Sequence, residues 1–172
     1  MSFQISALPV EPFKHLFGRP DDTLAEYAAA RFVVDRKPGF PCRVSLIDAE
    51  IGESVLLVNY EHLPGASPYR SRYAIYVREN AARAHPEVNE VPRQLRLRLL
   101  SVRAFDVAAM LLEADVVDGT EVEQAIHRMF ENPRVAYLHL HNAKPGCYAA
   151  RVDRAGSAVI HPAARIFSSG SQ

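Results

Sequence analysis

Alternating apolar and polar positions mark much of the secondary structure of this chain. Leu138 and Leu140 alternate with Tyr137, His139 and His141, and a period of two sends the leucines to one sheet face and the imidazoles to the other. Arg134 to His141 and Cys147 to Asp153 are the arms of a predicted hairpin around Lys144-Pro145-Gly146. Ser54 to Glu61 carries Val55-Leu56-Leu57-Val58, a run suited to a central strand buried on both faces. Further strands are expected at the N-terminal arm (Phe3, Ile5, Leu8), at Phe32-Val33-Val34, at Cys42 to Ile47 and at Tyr73 to Arg78. Leu95, Leu97 and Leu99 alternate with Arg96 and Arg98 and predict a half-buried strand; Ser157 to His161 predicts a short edge strand.

Helical spacing is rarer. Leu24, Tyr27 and Ala28 recur behind Asp21-Asp22, predicting a helix that ends near Ala30. Thr120-Glu121-Val122-Glu123 has the form of a capping box, and Val122, Ile126, Met129 and Phe130 make an apolar stripe, so a helix is predicted from Glu121 to Glu131, ended by Pro133. Asp106 to Val117 fits either a short helix capped by Asp106 or a strand. Together these elements predict an α+β fold: a single domain over residues 1–172, with a mixed or mostly antiparallel sheet of about six to eight strands and two principal helices. A short N-terminal arm and a polar tail from about residue 162 complete it.

A chain of 172 residues suffices for one substantial core. Its 20 basic and 20 acidic residues cancel, which removes the field that would hold a polyanion or an anionic membrane. Neither nucleic acid nor membrane is therefore expected as a partner. No apolar run approaches the ~18 residues of a membrane span, and the first ten residues lack a leader pattern, so a cytoplasmic location is expected. Two cysteines without a CxxC fit reduced thiols. No phosphate loop, dinucleotide fingerprint, HExxH or GxSxG is present.

The candidate chemistry gathers in the hairpin. If its loop is Asn142 to Gly146, His141 lies opposite Cys147 and shares its face, and an adjacent imidazole lowers a thiol's pKa and takes its proton. A loop one residue shorter pairs Asn142 with Cys147 and sends the sulfur to the leucine face. In the first register Cys147 is a candidate nucleophile with His139 or His141 as base, and Cys42 and His62 are candidates nearby. Alternatively His139, His141 and His62 form a metal site; no other cofactor is expected. Arg43, Arg70 and Arg151 suit a small polar or anionic molecule, with Tyr60, Tyr69 and Asn142 as further candidate contacts. The rival to an enzyme is a ligand-binding or protein-interaction domain in which these residues line a pocket or hold turns.

Lys37-Pro38-Gly39-Phe40-Pro41-Cys42-Arg43, Asn59-Tyr60-Glu61-His62, Ser67-Pro68-Tyr69-Arg70, Tyr76-Val77-Arg78-Glu79, His139-Leu140-His141-Asn142-Ala143 and Gly146-Cys147-Tyr148-Ala149 occur in combination. With these motifs the chain resembles a bacterial family known only as a domain of unknown function, numbered 1203, from about Phe3 to Arg154. The resemblance implies a single cytoplasmic bacterial domain and no assigned activity.

Overall fold

The computed structural model describes residues 1–156. In chain order its elements are β1 (Phe3–Ser6), a 3-10 helix (Glu11–Leu16), α1 (Asp21–Glu26), β2 (Ala29–Val33), β3 (Ser54–Leu63), β4 (Ser71–Arg78), α2 (Arg93–Arg96), β5 (Leu99–Phe105), β6 (Leu111–Asp118), α3 (Val122–Glu131), β7 (Tyr137–Asn142) and β8 (Tyr148–Arg154). The fold is α+β with strands dominating. The described residues form two compact units, one of Met1–Ser6, Leu63–Ser71 and the chain from His85, the other of Ala7–His62 and Arg72–Ala84. The expected edge strand at Ser157 to His161 and the polar tail lie outside the described residues.

The first unit is built on a five-stranded sheet in the order β1-β8-β7-β5-β6, antiparallel at every pairing. On its leucine face lie Phe3, Ile5, Leu100, Val102, Leu138, Leu140 and Val152, all buried. The helix α3 belongs to that face. Its buried stripe is Val122, Ala125, Ile126, Met129 and Phe130, and Phe3 meets His127 edge-on at 5.6 Å. Each large apolar side chain so buried contributes about 1.5–3 kcal/mol. Arg128 at the end of α3 pairs with Asp115 of β6 at 2.5 Å, which marks the same face from its rim.

Local chemistry departs from the sequence expectation, or decides between its alternatives, at several places. The capping box is not made: Thr120 Oγ1 donates to Asp118 at 2.6 Å, and Glu123 accepts from Arg96 at 2.8 Å instead. Leu95 to Leu99 is not a strand, because Pro92 stands at the N-cap of α2 and turns Arg93–Arg96 into a single helical turn before β5 begins at Leu99. Asp106 to Val117 resolves as a turn followed by β6; Asp106 Oδ1 accepts the N–H groups of Ala108 and Met110, both at 2.9 Å, and closes the turn. Of the two expected principal helices only α3, with ten residues, is substantial, since α1 stops after six. Ala28, at φ 49°, breaks α1's continuation.

The second unit holds the sheet β2-β3-β4 with β3 in the centre, antiparallel to β2, and Val55, Leu56 and Val58 fully buried. Cys42 to Ile47, expected as a strand, makes only the isolated bridges Pro41 to Asp48 and Cys42 to Tyr76. A turn replaces the ladder: Leu46 N–H donates to the Cys42 carbonyl at 3.1 Å with Leu46 at φ 51°. Glu79 follows β4 and ties this unit together. It accepts from Arg31 Nε at 3.2 Å, from Gly18 N–H at 2.8 Å and from the Ser54 hydroxyl at 2.7 Å.

Two stability measurements check this description. A Cβ on Gly119 would stand 2.1 Å from the Leu95 carbonyl oxygen and 2.7 Å from that of Arg98, both backbone, so Gly119→Ala should cost about 1–3 kcal/mol in urea denaturation. Burial pushes the Glu79 carboxyl up, yet its bonds to Arg31, Gly18 and Ser54 outweigh this and hold it below the ordinary value of 4.5. A depressed folded pKa means stability fully present above the unfolded value and lost as pH falls through the folded one. Glu79→Gln should therefore cost about 1–3 kcal/mol at neutral pH and flatten the loss of stability below about pH 4.5.

Candidate functional site

The opposite face of the five-stranded sheet carries the chemistry. Successive residues of β7 alternate between faces, so Tyr137, His139 and His141 all leave the leucine face. Phe105, Arg103 and Ser101 of β5 stand directly opposite them, in that order. On the other side β8 places Arg151 opposite His139 and Tyr148 opposite His141. All six side chains of β7 are buried, His139 to 3% exposure and His141 to 1%. The strand is covered on both faces.

The register at the hairpin decides the fate of Cys147. Asn142 N–H donates to the Cys147 carbonyl at 2.9 Å, and Gly146 N–H to that of Asn142 at 2.8 Å, so the loop is the shorter of the two expected. Beyond His141 and Tyr148 the pairing shifts, with Leu140 opposite Ala150. The skipped residue, Ala149, is a β-bulge. Its effect is to flip parity along β8: Arg151 and Tyr148 reach the imidazole face together, and Cys147 falls on the other. There Asn142 Nδ2 donates to the Cys147 sulfur at 3.4 Å, on the side of Leu138 and Leu140. The face-sharing of thiol and imidazole expected from the longer loop is thus corrected by the register.

The imidazole face is tightly furnished. Tyr137 and Phe105 stack at 5.5 Å, His139 lies 5.3 Å from Phe105 and 5.2 Å from Tyr137, and the Tyr148 ring stands edge-on to His139 at 5.1 Å and to His141 at 5.9 Å. Arg151 lies 3.9 Å over the Tyr137 ring and grips both carboxylate oxygens of Asp153, at 2.8 to 3.0 Å. Burial pushes the Tyr137 hydroxyl up, and Arg151 opposes it. Arg103 is different. Its Nε donates to Ser101 Oγ at 3.2 Å, no carboxylate joins it among the described residues, and desolvation lowers its pKa.

His141 Nδ1 lies 3.0 Å from the Gly146 carbonyl oxygen. A carbonyl only accepts, so Nδ1 carries a proton in this contact, and in the neutral ring Nε2 is then the nitrogen with the lone pair. A backbone carbonyl holding one ring nitrogen is the usual support of a metal-ligating histidine. His62 lies near the end of β3, in the second unit, and is buried. One ligand nitrogen of His139 lies within 4.8 Å of one of His141, and both side chains are buried. Neither cysteine belongs to this group.

The remaining sequence candidates have local partners. Cys42 is buried in the second unit, where its sulfur accepts the N–H groups of Ser45 at 3.4 Å and Arg78 at 3.3 Å; the thiol closes a turn. Arg43, 1% exposed, donates to the Pro41 carbonyl. Tyr60 sits 5.6 Å from Phe13, and burial pushes its hydroxyl up to about 12. Tyr69 and Arg70 occupy the loop after β3: Tyr69 meets Phe105 edge-on at 6.4 Å, and Arg70 N–H donates to the Ser67 carbonyl. Arg103, Phe105, Tyr137 and Tyr148 were not among the candidates. Arg103 was detectable in principle, as a charge alternating with Val102 and Ala104.

Cys42 and Cys147 are both free and buried. Iodoacetamide should leave both unlabelled in the native protein and label them once denaturant opens the fold; fast native labelling of Cys147 would contradict the register described.

The family model described as protein of unknown function (DUF1203) matches residues 39–154, and the chain belongs to that family. No curated protein and no solved structure matches it. No helix among the described residues is long and apolar enough to cross a membrane.

Proposed function

We propose that this member of the DUF1203 family is a metal-binding protein that holds one divalent transition-metal ion on His139 and His141. The observation that carries this is the buried pair of ring nitrogens, one from each imidazole, within 4.8 Å of one another. Tetrahedral zinc with Zn–N near 2.0–2.1 Å needs its nitrogens about 3.3 Å apart. The Gly146 carbonyl supports the reading, since it orients His141 with Nε2 as the ligand atom. Imidazole ligands suit zinc, copper, iron or nickel and disfavour calcium and magnesium.

An ion held on these two imidazoles keeps positions open for water or a small molecule, as catalytic rather than structural zinc sites do. A small polar or anionic molecule at that position is part of the same proposal. The thiol has no part in it, because Cys147 projects from the other face. The two free cysteines fit a reducing interior, and we place the protein in the bacterial cytoplasm on that ground.

Elemental analysis of protein purified without a metal-affinity tag tests the reading. The expected result is about one equivalent of zinc, copper, iron or nickel per chain, with His139→Ala and His141→Ala each weakening affinity by at least about a hundredfold. A wild-type protein that takes up none of these ions on titration would overturn it, as would full binding by both variants.

A further inference from the structure

We propose that Arg103 is the anion-recognition residue of the same face and that the molecule taken beside His139 and His141 carries a carboxylate. This rests on the metal-site reading for its setting, but the guanidinium and its surroundings stand on their own geometry. Arg103 lies directly opposite His139 across the β5–β7 pairing, and Ser101 lies directly opposite His141. Directly opposed side chains in an antiparallel pair have Cβ atoms about 4.5–5.5 Å apart. The Nε bond from Arg103 to Ser101 Oγ, 3.2 Å, draws the guanidinium along β5 from the row of His139 toward the row of His141. The fork therefore shares the sheet face of both imidazoles.

Arg103 has no carboxylate partner among the described residues, unlike the arginines flanking it on this sheet and on α3. Arg151 is held by both oxygens of Asp153 and by the Tyr137 ring; Arg96 is paired with Glu123 and Arg128 with Asp115. Among the described residues Arg103 bonds only to a neutral hydroxyl, through Nε, while desolvation acts on its charge. A half-buried cation without an anion is costly to keep, and its two terminal nitrogens present the planar pair of donors that a carboxylate fills bidentately. One guanidinium balances one negative charge. The rings of Phe105, Tyr137 and Tyr148 on this face add flat apolar surface, which suits a planar organic monoanion better than a phosphate dianion. Neutral imidazoles around a divalent ion would leave positive charge there as well, and an anion between ion and guanidinium neutralises both.

The test is calorimetric titration of acetate, and separately of inorganic phosphate, into wild type and Arg103→Met, each in metal-free and metal-loaded form. Elemental analysis is run on every sample. The expected result is acetate binding by the wild type, tighter than phosphate, and weakened at least about tenfold in Arg103→Met at unchanged metal content. Arg103→Met should melt at or above the wild-type temperature, because an uncompensated buried charge is replaced by an apolar chain; this separates loss of recognition from loss of fold. Equal acetate affinity in the two proteins, or no acetate binding by either, overturns the proposal. Phosphate binding tighter than acetate overturns the carboxylate assignment. Acetate binding that depends on Arg103 in a protein that takes up no metal would sustain the anion site and reject the metal reading, so the two failures are distinguishable.

Discussion

Everything specific about this molecule depends on how β7 is registered between β5 and β8. A strand covered on both faces presents two different surfaces, and β7 separates them completely: Leu138, Leu140 and Asn142 on one side, Tyr137, His139 and His141 on the other. The β5 pairing runs without interruption from Leu100 to Phe105, so it fixes which residues flank the imidazoles there. The β8 pairing has a bulge, and that single irregularity brings Tyr148 to the imidazoles and takes Cys147 away. Backbone pairing thus selects which side chains meet, before any of them contributes an interaction of its own.

The two surfaces are stabilised by different physics. The leucine face is closed by α3 through Ile126, Met129 and Phe130, and by Phe3 from β1, a mainly hydrophobic seal. The imidazole face is held by ring contacts, by the Arg151–Asp153 pair and by one backbone carbonyl. Burying polar rings is costly unless their nitrogens are satisfied, so such a face persists only with its hydrogen bonds made or a ligand in place. Both the proposed ion and the proposed carboxylate answer to that constraint.

Periodicity made much of the fold legible. The central strand β3, the stripe of α3, both arms of the hairpin and the loop after β3 follow directly from alternation, spacing and breakers. Three things were hidden for physical reasons. Pro92 competes with the leucine alternation and wins locally, giving α2 in place of a strand. The turn around Cys42 depends on a sulfur accepting two backbone N–H groups, a preference that no residue pattern encodes. The bulge at Ala149 leaves no mark in the sequence, because alanine fits a regular ladder equally well. Of the candidate site, His139 and His141 were readable from β7 alone, and Arg151 from its place on the partner strand. Arg103 acquired meaning only once its lack of a counter-charge was visible.

The bulge also sets what changes in chain length the hairpin tolerates. A ladder with a regular register has no slack, so one residue gained or lost in its turn exchanges the faces of an entire arm. Here a surplus residue is already accommodated three positions past Gly146, and removing Ala149 would give a regular ladder with Tyr148 still opposite His141 and Cys147 still beside Asn142. Straightening the arm with Ala149 paired in the ladder has the opposite effect: residues 147 and 148 trade sides, which places a thiol among the imidazoles and a phenol among the leucines. Whether one alanine bulges or pairs thus separates the present architecture from a different chemistry built on the same side chains.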